Sequence, residues 1–187
     1  MFGLSKSADR YLAIAATVAS LLLLAAFFTN DAFFEWAFNR HRNTASWVAR
    51  PLLLLPMCYC AWKRSFGGIG VCIFALLSSM FWFPAPVEPR EDVTAFLAME
   101  RALLRAGWTW SNLSGLIAVM VYAAALLTAF WHRSWKLGLG VAIIGAVGKI
   151  AWSLVFSPQA GSAVIPYAVG GALILAAVVF LSRKHLP

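Results

Sequence analysis

Six apolar runs dominate the chain, at residues 11–28, 47–62, 67–83, 113–131, 137–156 and 163–181. Each is close to the ~20 apolar residues that cross ~30 Å of hydrocarbon. The pattern predicts an all-α integral membrane protein, one polytopic domain over residues 1–187, with about six transmembrane helices. The second run, Trp47–Trp62, is the shortest, and Pro51 and Pro56 interrupt it. Each proline removes a backbone donor and kinks a helix, so a re-entrant second segment is the alternative. The first run has an apolar core longer than the ~7–15 residues of a cleaved signal and reads as a retained anchor.

Two long connections, 29–46 and 84–112, carry periodicity of their own. In the first, Asn30 or Asp31 can cap a short helix, on which Glu35, Asn39 and Arg42 share one face. In the second, Asp92 is the expected cap of a helix ending at Gly107. Its apolar face is expected to hold Val93, Phe96, Leu97, Leu103 and Leu104, with Glu100 inside that face. Both are read as short helices at the outer interface.

Composition agrees with the class. The chain is 62% hydrophobic and 12% charged, against about 45–50% and about 25% in an ordinary soluble domain. The formal net charge of +8 would suit nucleic acid, but its distribution argues otherwise. With the N-terminus inside, Lys6, Arg10, Lys63, Arg64, Arg133, Lys136, Arg183 and Lys184 fall on the inner side with only Asp9 to oppose them. The outer segments hold equal numbers of arginines and acids. This is the positive-inside pattern. It places both termini in the cytoplasm, and the expected location is a bacterial inner (plasma) membrane. Trp47, Trp82, Trp108 and Trp110 on one side, and Trp62, Trp131 and Trp135 on the other, read as interfacial anchors.

The candidate chemistry starts from Lys149, which interrupts the fifth run. A charge near the bilayer centre costs about 2.5–3.5 kcal/mol on insertion scales. Gly138, Ala142, Gly145, Lys149 and Trp152 share one helical face, and its small residues mark the side a neighbouring helix approaches. Lys149 is therefore expected to face the bundle and to meet Glu100. Arg50, at the outer start of the second run, is placed to join them, and His41 is the histidine able to titrate there near neutral pH. The run "NRHRN" adds Asn39 and Arg42 as candidate ligand contacts. The predicted binding set is Lys149, Glu100, Arg50, His41, Asn39 and Arg42. A structural pair between Glu100 and Lys149, with no ligand, is the competing explanation.

No Walker loop, dinucleotide glycine pattern or HExxH motif is present. Cys58, Cys60 and Cys72 read as small buried apolar residues. No catalytic residue, metal or cofactor is assigned, and small-xxx-small spacing such as Ala15 to Ala19 identifies no family. The expected function is binding or transport of a small anionic or amphiphilic solute at an outward-facing polar site. The alternatives are an accessory or assembly subunit, which needs a protein partner, and an enzyme acting on a lipid at the outer interface. The lipid bilayer and a small-molecule or lipid ligand are the expected partners, and nucleic acid is not.

Overall fold

The computed structural model describes residues 5–182, so Arg183, Lys184 and His185 lie outside the described residues. Among those described, every regular element is helical. The order is α1 (Lys6–Thr29), α2 (Asp31–His41), α3 (Ala45–Trp62), α4 (Phe66–Ser78, extended by a 3-10 turn Ser79–Phe81), α5 (Glu91–Arg105), α6 (Trp110–Trp131), α7 (Trp135–Phe156) and α8 (Ile165–Ser182, entered through a 3-10 turn Gly161–Val164).

Four helices are long and apolar enough to cross a membrane: Lys6–Thr29, Trp110–Trp131, Trp135–Phe156 and the continuous segment Gly161–Ser182. The other two expected spans are also helices, with a different character. Phe66–Phe81 is apolar but shorter, reaching about 24 Å at ~1.5 Å per residue. α3 carries Arg50, Pro51 and Pro56. It lies against α4, α6 and α8, whereas α1 lies mainly against α4. Val48, Leu52 and Tyr59 of α3 remain exposed, so those contacts cover only part of its surface.

The ends of the bundle differ. At one end, Asp9 of α1 caps α4: its carboxylate accepts from Ser65 Oγ and from the amides of Phe66 and Gly67. A Cβ on Gly67 would come within 2.7 Å of the Asp9 carbonyl, so only glycine allows this approach. The α3–α4 and α6–α7 turns lie together there, with Arg64 Nε donating to the Trp131 carbonyl at 3.3 Å. Both turns place an arginine, Arg64 and Arg133, at φ 57°. The described basic residues of the two turns of the expected inner side thus gather at one end.

The opposite end is covered by α2, α5 and the Gly161–Val164 turn. Asn30 ends α1 and caps α2, its Oδ1 accepting from the Phe33 amide at 3.0 Å. Of the buried stripe on α2, Phe34, Ala37, Phe38 and His41, the first three join Trp47, Met80, Val93, Phe96, Leu97, Ala160, Ala163 and Val164 in one apolar cluster. A second cluster fills the other half of the bundle around Met57, Trp62, Ile69, Leu126, Phe130 and Leu175.

α5 departs from expectation in three details. Its N-cap is Arg90, without a side-chain cap hydrogen bond. Asp92 sits inside the first turn, where the Arg90 guanidinium grips both of its oxygens, and that hydrogen-bonded cation holds its carboxyl below the ordinary range. The buried face is limited to Val93, Phe96 and Leu97. Leu104 is 42% exposed, because the cluster covers only the first half of the helix. The helix ends at Arg105 with Ala106 as its C-cap, two residues before the expected Gly107, which takes φ +72° just beyond it.

Candidate functional site

Lys149 and Glu100 meet. The ammonium donates to Glu100 Oε1 at 3.1 Å. The ring of Phe96 lies 5.2 Å from the ammonium and that of Trp152 lies 4.7 Å away. Phe96 is one turn before Glu100 on α5, and Trp152 is one turn after Lys149 on α7, so helical spacing alone brings each ring to the pair. The carboxylate is 23% exposed and the lysine side chain 44%. The small face of α7 behaves as expected along most of its length: Cβ atoms at Gly138 and Gly145 would strike the rings of Phe130 and Tyr122 on α6. Ile143 and Val147 look outward.

The pair sits at the edge of a cavity of about 230 Å³ that Arg50 and His41 also line. Trp47, Pro51 and Leu54 of α3, Leu76 of α4, and Val164, Tyr167 and Ala168 beside α8 complete its wall. Pro51 lies inside α3, where its missing amide leaves the carbonyl one turn back without a helical donor. Gly171 lets α8 come close here, since a Cβ on it would stand 2.4 Å from Pro51 Cβ. Gly170, next to it, has nothing within 4 Å.

Arg50 is the unusual member. Its Nε is buried and has no hydrogen-bond partner among the described residues. Glu100 is bonded to Lys149 instead. Buried polar groups are almost always satisfied, and a cationic donor left unmade is the costly case.

His41 is held on two sides. Its carbonyl accepts from Trp47 Nε1 at 3.0 Å. Its Nδ1 lies 2.8 Å from Ser46 Oγ, while that hydroxyl donates to the Asn43 carbonyl at 2.6 Å. The single hydroxyl proton is thereby used, so Nδ1 carries the imidazole proton and Nε2 the lone pair. The ring is 2% exposed. Burial, followed by the charges of Arg50 and Lys149, lowers its pKa from 6.5 to about 2. This corrects the expectation that His41 titrates near neutral pH.

Asn39 and Arg42 do not join this group. They line a separate crevice of about 380 Å³ between α2 and α5, with Glu35, Trp36, Thr94 and Arg101. There Arg101 pairs with Glu35 at 3.0 Å, and Arg105 bonds Asp31 and Glu35 across the same two helices. Arg40 also turns away, its Nε donating to the Phe81 carbonyl at 2.7 Å. Of the predicted residues, Lys149, Glu100, Arg50 and His41 are brought together and Asn39 and Arg42 are not.

Ser46, Tyr167 and Phe96 escaped the sequence reading as parts of the site. Phe96 had a visible signal, one turn before Glu100 on the same face. His41 had another, as the last member of the apolar stripe of α2. Ser46 and Tyr167 reach the site only through tertiary packing. Among the described residues no group of three His, Cys, Asp or Glu side chains is arranged to hold a metal. In comparisons with known proteins, no family model, no curated protein and no solved structure matches this chain.

Proposed function

We propose that this chain is a multi-pass membrane protein that binds, or moves across the bilayer, a small anionic or amphiphilic solute held in the cavity between α3, α5, α7 and α8. In this reading all six apolar helices cross, both termini face the cytoplasm of a bacterium, and α2 and α5 form the outer cap. The clustering of basic turns at the end opposite the cap supports that orientation.

The observation that carries this reading is Arg50: it lines a cavity whose one carboxylate is already taken by Lys149, and its buried Nε has no hydrogen-bond partner among the described residues. With His41 neutral, two cations oppose one carboxylate and leave one positive charge unmatched. A monoanionic group would satisfy the guanidinium through charge-assisted hydrogen bonds. The walls, Leu54, Pro51, Val164 and Phe96, suit a short apolar tail.

Equilibrium binding of hexanoate and hexanesulfonate to the detergent-purified protein tests this reading. Saturable binding that Arg50→Gln and Lys149→Ala weaken, in variants that melt like wild type, is expected. Folded variants that bind as wild type does would place the site elsewhere.

A further inference from the structure

Building on that anion-binding reading, we propose that the anion does not enter alone: His41 takes up one proton at Nε2 as the anion settles against Arg50, so that the site loads an anion and a proton together.

The argument begins with the hydrogen-bond chain behind the ring. The Ser46 hydroxyl is committed to the Asn43 carbonyl, and this fixes the proton on Nδ1. The remaining nitrogen, Nε2, carries the lone pair, on a ring that lines the cavity. An anionic oxygen placed against it would meet lone pair with lone pair. Exchanging the tautomer would break the bond to Ser46. Protonation removes the conflict and turns Nε2 into a donor for the anion.

The surrounding charges set the direction. Arg50 on α3 and Lys149 on α7 oppose a third positive charge, and burial opposes it more. Glu100 on α5 is the carboxylate of the cavity, and its charge is engaged by Lys149. Tyr167 on α8 is the phenol facing the same space. On α2 itself, Arg40 turns to the Phe81 and Trp82 carbonyls, Arg42 faces the other crevice, and Asp31 and Glu35 are paired with arginines of α5. A bound anion cancels part of the field of Arg50 and Lys149 and gives the imidazolium a direct partner of opposite charge, and the two together work against the burial that is the larger cause of its neutrality. The balance is simple: one proton leaves solvent and bonds to the Nε2 lone pair, no bond of the ligand breaks, and anion plus proton add no net charge to the cavity. By linkage, affinity for the anion must rise as pH falls.

Calorimetric titration of wild type with hexanesulfonate, whose charge is constant over this pH range, reads the proton directly. Runs at pH 6 in two buffers of different ionisation enthalpy should show uptake of at least about half a proton per anion bound, and Kd should tighten about fivefold or more from pH 7 to pH 5, toward the limit of about tenfold per pH unit for one linked proton. ¹³C-labelled histidine should show the His41 ring neutral without the sulfonate and protonated with it. In His41→Gln the pH dependence of Kd between pH 7 and pH 5 should disappear. Should that variant misfold, the wild-type calorimetry and spectrum decide alone. Binding with no proton uptake overturns this inference and leaves the anion site standing. Failure of both hexanesulfonate and hexanoate to bind removes the anion site as well.

Discussion

The capped end of the molecule holds two concavities with nearly the same vocabulary of side chains. The crevice between α2 and α5 has arginines, a glutamate and a tryptophan. The cavity beneath α5 has an arginine, a lysine, a glutamate, a histidine and a tryptophan. Their energetics differ. In the crevice, Arg101 and Glu35 are 43% and 44% exposed and neutralise each other. Exposed pairs of this kind contribute about 0–1 kcal/mol and leave nothing to be satisfied. In the cavity, Arg50 Nε is buried and unmatched among the described residues, and a neutral histidine lines the same space. What separates a solvated polar face from a site is unfulfilled bonding capacity, not the density of charge.

The largest expected effect breaks this contrast at its strongest point. Arg50→Ala should weaken hexanoate binding about 10- to 100-fold, the scale of a lost charge-assisted hydrogen bond. Arg42→Ala, in the crevice, should change it less than about twofold. Equilibrium dialysis on both purified variants provides the comparison, and equal losses would erase the distinction between the two sites.

The packing of α8 against the cavity residue Pro51 can be tested through two glycines. Gly171→Leu forces side-chain atoms into Pro51 and should cost about 1–3 kcal/mol of stability, as overpacking does. Gly170→Leu, with open space before it, should stay within about 0.5 kcal/mol. Thermal unfolding in detergent reads both.

His41 gives a pH signature. Its folded pKa is depressed below 6.5, so the unfolded chain binds the proton first. The stability it contributes is complete above pH 6.5 and is lost as pH falls from there toward 2. Between pH 7 and pH 5, ligand-free wild type should lose about 1–2 kcal/mol more than His41→Gln does. Melting curves at the two pH values, compared between the two proteins, check the sign.

The smallest effect concerns the ion pairs. A double-mutant cycle on Lys149 and Glu100, flanked by two rings and partly buried, should give a coupling near 1 kcal/mol. The same cycle on Arg101 and Glu35 should give about 0.5 kcal/mol or less.

Much of this arrangement was legible in the chain. Lys149 and Glu100 each interrupted an apolar face, and an ionisable group on such a face needs a partner. Arg50 could be placed beside them because it opens α3 at the same end. The grouping of Asn39 and Arg42 with His41 was the error, and its reason is geometric. Residues two apart on a helix are separated by about 200° around its axis, so adjacency within "NRHRN" scatters the side chains. The face that carries Glu35, Asn39 and Arg42 forms the crevice. The opposite face, Phe34, Ala37, Phe38 and His41, enters the core. Periodicity held that information, whereas local polar density obscured it. The tautomer-setting role of Ser46 was not legible, because it depends on how the link from α2 to α3 turns back on itself.

Photolabelling with a diazirine-bearing hexanoate, followed by peptide mapping, tests the central claim most directly. The account predicts label on cavity residues of α3, α5 and α8, such as Leu54, Phe96 and Tyr167, displaced by excess hexanesulfonate and absent in Arg50→Gln. Label concentrated instead on the crevice residues around Asn39 and Arg42, or spread over the outward faces of the helices and indifferent to the competitor, would contradict it.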